Sequence, residues 1–246
     1  MSIPPRYIPS NLINEFTMNG SIDVYDWYLN ETVSTPIVWD DDMMSTYTNA
    51  LTENNIRNNT HGIDSYCNGS LMLINGLKLI DNIENKTVAV IGSQKPWIEC
   101  ICLNMGIKDV TTVEYNPPKC NYPNLSIISY NDFQFQDKKY DIIISYSSIE
   151  HSGLGRYGDD INPYGDLIAM NDIKQKMHDD SYLLLGVPIG VDGIAWNAHR
   201  IYGKKRLSLL LDGLTQIQWI GCDTSLLDTA LRGNNGETPF ILCKKT

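Results

Sequence analysis

Tyr140-Asp141-Ile142-Ile143-Ile144 leads, through Ser145-Tyr146-Ser147, into Ser148-Ile149-Glu150-His151-Ser152-Gly153-Leu154-Gly155-Arg156-Tyr157-Gly158-Asp159-Asp160. A short β-branched run between polar flanks predicts a buried strand of a parallel sheet. In open α/β sheets the ligand lies just beyond the carboxyl ends of such strands. Here that position carries a carboxylate, an imidazole, three glycines, an arginine, a tyrosine and two aspartates. A plain connecting turn needs none of this chemistry. The segment is a candidate active site, with Glu150 and His151 foremost.

Outward from it, strands and helices alternate. Val88 to Ile91 predicts a buried strand stopped by Gly92. A helix follows Pro96, with Ile98, Ile101, Cys102 and Met105 on one stripe and Gly106 as its stop. Asp109 to Glu114 and Leu125 to Ile128 predict two more strands, and Tyr140 to Ser145 a fourth. A helix over Asp166 to His178 leads to a strand over Tyr182 to Val187, ended by Pro188, and a further helix covers Arg206 to Leu211. Thr215 to Ile220 and Phe240 to Lys244 have no helix between them and predict an antiparallel edge hairpin around a long loop, Asp223 to Pro239. The sum is a doubly wound, mostly parallel, seven-stranded α/β sheet with a terminal antiparallel hairpin.

Residues 1–82 break the pattern with proline pairs, an acidic run (Asp40-Asp41-Asp42) and the aromatics Tyr25, Trp27, Tyr28 and Trp39. Helices are expected over Met43 to Leu51 and Leu71 to Ile80. The segment is too polar and broken to hold a core alone. It is expected to be a helical and irregular cap, or lid, packed on a core of residues 83–246.

The formal net charge of −10 argues against a nucleic-acid partner, which would require a basic face. No apolar stretch is long enough to predict a membrane span. The first ten residues carry no basic region followed by an apolar one, so a cytoplasmic protein is expected. Six scattered cysteines, Cys67, Cys100, Cys102, Cys120, Cys222 and Cys243, match neither a zinc pattern nor a disulfide framework. Thiols in a reducing compartment are expected. Composition leaves the oligomeric state open.

Gly92 stands where a doubly wound fold needs a tight turn and a close approach to its ligand. The three-glycine dinucleotide fingerprint is absent, which disfavours NAD, and an ordinary turn stays open as the alternative. Glu114 ends the next strand about 20 residues later, at the spacing of an acid that accepts ribose hydroxyls. Ser93, Tyr115 and Asn116, beside these positions, and Ser147, after the fourth strand, are further cofactor-binding candidates. Asp132 is placed to read an adenine amino group, although Asn131-Asp132 is equally turn chemistry. A nucleoside site with no phosphate cradle points to S-adenosyl-L-methionine.

Val88 to Glu99 (VAVIGSQKPWIE), Val110 to Asn116 (VTTVEYN), the Ser148 to Asp160 segment, Gly165 to Met170 (GDLIAM) and Trp196 to Gly203 (WNAHRIYG) together resemble a family of methyltransferase-like domains first catalogued, without known function, from nematode proteins. The resemblance runs from about Tyr7 to Gly221, and its EHxGLGRYGD core is its specific part. It implies an S-adenosylmethionine-dependent class I methyltransferase fold, with related domains found around glycan biosynthesis.

Methyl transfer is an in-line displacement, so a hydroxyl acceptor must be positioned and must lose its proton. His151 is the foremost general base, with Glu150 either orienting it or binding acceptor hydroxyls, and His199 is the rival; structural hydrogen bonding of the loop is the alternative for each histidine. Arg156, Tyr157, Asp159, Asp160, Asp192 and Arg200 are candidates to grip a polyhydroxylated acceptor; Arg156 paired with an aspartate, holding the loop shut, is the alternative. Glu150, His151, Asp192 and His199 are the ligand candidates for a divalent metal, with metal-free base catalysis as the default. The N-terminal aromatics either stack on a sugar ring or pack the cap. The expectation is O-methylation of a sugar hydroxyl on a glycan or its precursor. A non-catalytic cofactor-binding module and a nucleotide-sugar oxidoreductase are the alternatives.

Overall fold

The apolar runs become the strands of one central sheet in the computed structural model, which describes residues 3–31, 37–63, 68–229 and 238–245. Its strands are β2 (Thr87–Ile91), β3 (Asp109–Glu114), β4 (Leu125–Ser129), β5 (Tyr140–Tyr146), β6 (Met177–Gly186), β9 (Leu214–Ile220) and β10 (Phe240–Lys245). The spatial order is β4-β3-β2-β5-β6-β10-β9. The first five pair in parallel, and β10 runs antiparallel to both β6 and β9. The terminal hairpin is therefore present. Of its loop, residues 230–237 lie outside the described residues.

Alternation along each strand sends side chains to two cores. Val88, Val90, Ile142 and Ile144 face one cluster, and Ala89, Ile91 and Ile143 the other. The helices are α1 (Ile13–Phe16), α2 (Asp41–Ala50), α3 (Glu53–Arg57), α4 (Gly69–Leu77), α5 (Trp97–Asn104), α6 (Tyr130–Phe135), α7 (Gly165–Gln175) and α8 (Lys204–Leu210). Met44 of α2, Leu73 of α4 and Ile98 of α5 pack on the first face; Ile173 of α7 and Leu207 of α8 pack on the second. Helices α2, α3 and α4 thus share a core with the sheet.

The chain also forms a second, three-stranded sheet that the sequence pattern does not announce. In it β1 (Asp23–Trp27) pairs in parallel with β7 (Gly193–Asn197), which pairs antiparallel with β8 (His199–Ile201). These strands are short, and β1 meets a partner far along the chain. Phe16 and Ile22 seal this region against Leu154, Ile194 and Trp196. The helix expected over Asp166 to His178 ends earlier, at Gln175, because Met177 already pairs with Tyr140 as the start of β6. The helix expected from Arg206 starts at Lys204, where the Asp192 carboxylate accepts from the N–H groups of Gly203, Lys205 and Arg206.

No helix among the described residues is long and apolar enough to cross a membrane. The described cysteines, Cys100, Cys102, Cys120, Cys222 and Cys243, carry no disulfide. Cys67 lies outside the described residues.

Candidate functional site

The order of the sheet reverses between β2 and β5, and a doubly wound sheet opens a crevice beyond the strand ends at such a point. A cavity of about 660 Å3 lies there. Its walls come from the turn after β2 (Gly92 to Lys95), the end of β3 (Glu114 to Asn116), the turn after β5 (Ser147 to Ile149) and the loop carrying His151, Tyr157 and Asp159. The N-terminal segment adds Ile37 and Tyr47.

Gly92 has φ +76°, and a Cβ built on it would lie 2.0 Å from Oγ of Ser148. A side chain is excluded both by backbone conformation and by space. The turns after β2 and β5 can therefore touch. The next residue, Ser93, donates its N–H to Oε1 of Glu114 at 2.9 Å, while Tyr115 donates its own to Oε2 at 2.9 Å. A carboxylate offers about four accepting lone pairs, so accepting capacity remains beside these donors. Burial pushes this carboxyl up, and the surrounding backbone N–H groups pull the other way. Tyr115 stacks on Tyr130, ring centroids 4.7 Å apart, on the same wall.

Asp132 does not line the cavity. Its N–H donates to Oγ of Ser129 and its carboxylate accepts from that hydroxyl, which is the capping arrangement of α6. Tyr130 occupies the wall instead.

After β5, Ser147 adopts φ 49° and Glu150 and His151 form a single 3-10 turn. His151 lines the cavity, whereas Glu150 is fully buried behind it. Nδ1 of His151 donates to the carbonyl of Ala198 at 2.6 Å. That contact fixes the tautomer and leaves Nε2 with the lone pair. Burial pushes the imidazole down to about 3, with Arg156 adding to the effect. Oε1 of Glu150 stands 3.6 Å from Nε2, beyond hydrogen-bond range, and neither oxygen of Glu150 completes a hydrogen bond. Burial pushes the Glu150 carboxyl up to about 7, and its own backbone with Ser147 and Ser148 pull only weakly the other way.

His199 is half-buried and sits outside the cavity lining, with Trp27 edge-on at 5.3 Å and the His151 ring centroid 6.4 Å away. Burial, then Arg156, pushes it down to about 4.

The remaining polar candidates divide. Tyr157 and Asp159 line the cavity. Oδ2 of Asp159 also accepts from the N–H groups of Gly153 and Gly155. Asp160 is exposed and lies outside the cavity lining. Arg156 lies across Tyr157 and binds Glu31 and the Ala198 carbonyl, so its ion-pair partner is a glutamate of the N-terminal segment. Arg200 is fully buried and donates to the carbonyls of Glu150, Ser152, Asn162 and Pro163. Beside it, Asp166 pairs with Arg206 at 2.5 Å; burial pushes this carboxyl up, but Arg200 and Arg206 outweigh burial and hold it low. Arg200 and Asp192 are committed to the loop and to α8, away from the cavity. Glu150, His151, Asp192 and His199 do not gather, and no group of three or more His, Cys, Asp or Glu among the described residues is arranged to hold a metal ion.

Sequence reasoning passed over Tyr146, Trp97 and Tyr47, which line the cavity, and Glu99, buried beneath it. Tyr146 is the last residue of β5, a position the strand pattern alone could have flagged. Trp27 packs on His199, Tyr28 donates to the Pro4 carbonyl and Trp39 is buried with its indole N–H on the Gln94 carbonyl. None of these, nor Tyr25, lines the cavity.

Solved structures share this fold. An N-methyltransferase, NodS of Bradyrhizobium japonicum WM9, superposes with a TM-score of 0.51 at 13% identity, covering 74% of this chain and 99% of that one. Its complex with S-adenosyl-L-homocysteine gives 0.50 at 12% identity, covering 84% and 99%. The 1,6-didemethyltoxoflavin-N1-methyltransferase of Burkholderia thailandensis, with 1,6-didemethyltoxoflavin and S-adenosylhomocysteine bound, gives 0.54 at 14% identity, covering 90% and 99%. At these identities the likeness is one of fold, the Rossmann-like fold of class I methyltransferases. No curated protein matches the sequence. A family model matches residues 85–231, more than half of the chain and a shorter span than the stretch from Tyr7 to Gly221 suggested by the motifs. The chain belongs to the family described as Caenorhabditis protein of unknown function, DUF268.

Proposed function

We propose that this protein is an S-adenosylmethionine-dependent methyltransferase that methylates an oxygen, the hydroxyl of a sugar in a glycan or glycan precursor. The observation that carries the reading is the junction of the Gly92 turn and the Glu114 carboxylate in one cavity at the switch point of the sheet. The pocket fits a nucleoside thioether: it offers a turn that opens on a residue without a side chain, an acid with accepting capacity and two stacked tyrosines. Bound S-adenosylmethionine supplies a methyl group made electrophilic by its sulfonium. Glu114 binds the ribose hydroxyls, and Gly92 lets the backbone approach the ligand closely.

His151 takes the acceptor proton at Nε2, the nitrogen left unprotonated by the Nδ1 contact to Ala198. The ring alone is a weak base in its buried setting. Glu150 compensates, because its ionised carboxylate places a counter-charge 3.6 Å from the imidazolium that forms. The two groups titrate as a pair. Tyr157 and Asp159 supply polar contacts to the acceptor, and Tyr47, Trp97 and Tyr146 supply apolar wall. Residues 1–82 act as a cap that completes this wall. Aromatic faces beside carboxylates suit a polyhydroxylated ring, which supports a sugar as acceptor.

The test is transfer of labelled methyl from S-adenosylmethionine to a panel of sugars and oligosaccharides, with protein, lipid and nucleic acid alongside. Sugar labelling that disappears in His151→Ala is expected. Labelling confined to the other classes would refute the acceptor, and transfer undiminished in His151→Ala would refute the base.

A further inference from the structure

Beneath the turn after β2 lies a carboxyl that the reaction does not use. Glu99 sits in α5, fully buried, and its two oxygens meet two hydroxyls: Oε1 lies 2.8 Å from Oγ1 of Thr112, and Oε2 lies 3.0 Å from Oγ of Ser93. Oγ of Ser93 is also 3.0 Å from the carbonyl of Lys95. Ser93 has one hydroxyl proton and two acceptors for it. An ionised Glu99 would leave one of those two contacts with no proton in it. A protonated Glu99 satisfies all three: Thr112 donates to Oε1, Oε2–H donates to Ser93, and Ser93 donates to Lys95.

The same Ser93 gives its N–H to Glu114. We propose that Glu99 keeps a proton and, through Ser93, fixes the Gly92 to Lys95 turn and the Glu114 carboxylate in their binding geometry. Glu99 is thus a positioning residue, and its effect on ligand binding rests on the cofactor site proposed above. Its surroundings agree. Burial pushes the Glu99 carboxyl up to about 7. The ionisable groups that feel its charge are Glu114 at the end of β3, the Cys100 and Cys102 thiols on its own helix and Cys120 after β3. All four are acids, so none favours a second negative charge. The turn is also held from the cap side, where the Trp39 indole donates to the carbonyl of Gln94.

The expected behaviour is a turn that loosens as Glu99 ionises. Three readouts on the full chain test it, in wild type and Glu99→Gln, at pH 6 and pH 9. Infrared spectra of the unliganded protein should show a protonated-carboxyl band at pH 6 that Glu99→Gln lacks and that fades by pH 9. Amide exchange at Ser93, compared between the two proteins at each pH, should be accelerated in wild type at pH 9 alone. The affinity for S-adenosylhomocysteine should match within about threefold at pH 6 and be weaker in wild type by roughly tenfold at pH 9, the equivalent of one pK unit. If Glu99→Gln fails to fold, Ser93→Ala should already show the fast exchange at its neighbouring turn amides at pH 6, and normal exchange there would overturn the proposal. Absence of the band, or parallel pH profiles in the two proteins, would also overturn it. Failure of both proteins to bind S-adenosylhomocysteine, with band and exchange as expected, would strike the cofactor reading and leave the protonated Glu99 standing.

Discussion

The two sides of the cavity are built by opposite means. On the β2–β3 side, backbone does the work: a glycine turn, a strand-end acid and two N–H donors from residues within or beside the turn. On the β5 side, the loop from Ser148 to Pro163 is held from behind by charge. Arg200 gathers four of its carbonyls, and Asp166, set between Arg200 and Arg206, balances one of the two guanidiniums. The first side gains its geometry from local chain direction. The second depends on residues far apart in sequence, and those residues are desolvated, so their removal is costly.

That contrast breaks most visibly at Asp166. Asp166→Ala leaves two buried guanidiniums with no carboxylate between them and should cost about 3–5 kcal/mol in chemical denaturation. A loss near zero would mean that the loop is held by something else. On the backbone side, Gly92→Ala should cost about 1–3 kcal/mol for its strained φ and should abolish binding of S-adenosylhomocysteine, because the turn must shift off Ser148. Glu114→Gln should fold normally and weaken that binding roughly 10- to 100-fold, the range for a charge-assisted hydrogen bond.

The β5 side also makes a pH prediction. Glu150 is pushed up to about 7, so methyl transfer should rise as pH increases through that value and the carboxylate forms beside His151. Stability moves the other way. A carboxyl whose folded pKa is raised contributes stability that is full below its unfolded value and is lost as pH climbs through the folded one. Wild type should therefore lose stability relative to Glu150→Gln as pH climbs towards about 7, and parallel melting profiles would contradict this. The smallest effect belongs to Asp132→Ala, which removes an acid from the first turn of α6 and its contact with the Ser129 hydroxyl, should cost about 0.3–1 kcal/mol and leave ligand binding unchanged.

The central sheet was legible because its strands are continuous β-branched runs cut by Gly92, Gly106, Pro188 and Gly213. The β2–β3 wall of the cavity was legible for the same reason, since Gly92 follows one of those strands and Glu114 ends another. The loop side was not. Tyr157 and Asp159 reach the cavity while Arg156, Asp192 and Arg200 bind backbone or an opposite charge, and nothing in Gly-Arg-Tyr-Gly-Asp distinguishes the two uses. Asp132 shows the same ambiguity: an acid just past a strand end that reads as a ligand group instead accepts from the hydroxyl of Ser129, the N-cap of α6. The β1–β7 pairing was invisible because five residues of mixed polarity carry no sign of a partner so distant along the chain.

The most direct measurement is calorimetric titration of the protein with S-adenosylhomocysteine and, separately, NAD, with Gly92→Ala in parallel. Saturable binding of S-adenosylhomocysteine alone, lost in Gly92→Ala, is the predicted result. Binding of NAD in its place, or S-adenosylhomocysteine binding untouched by the substitution, would contradict a cofactor site at the Gly92 turn.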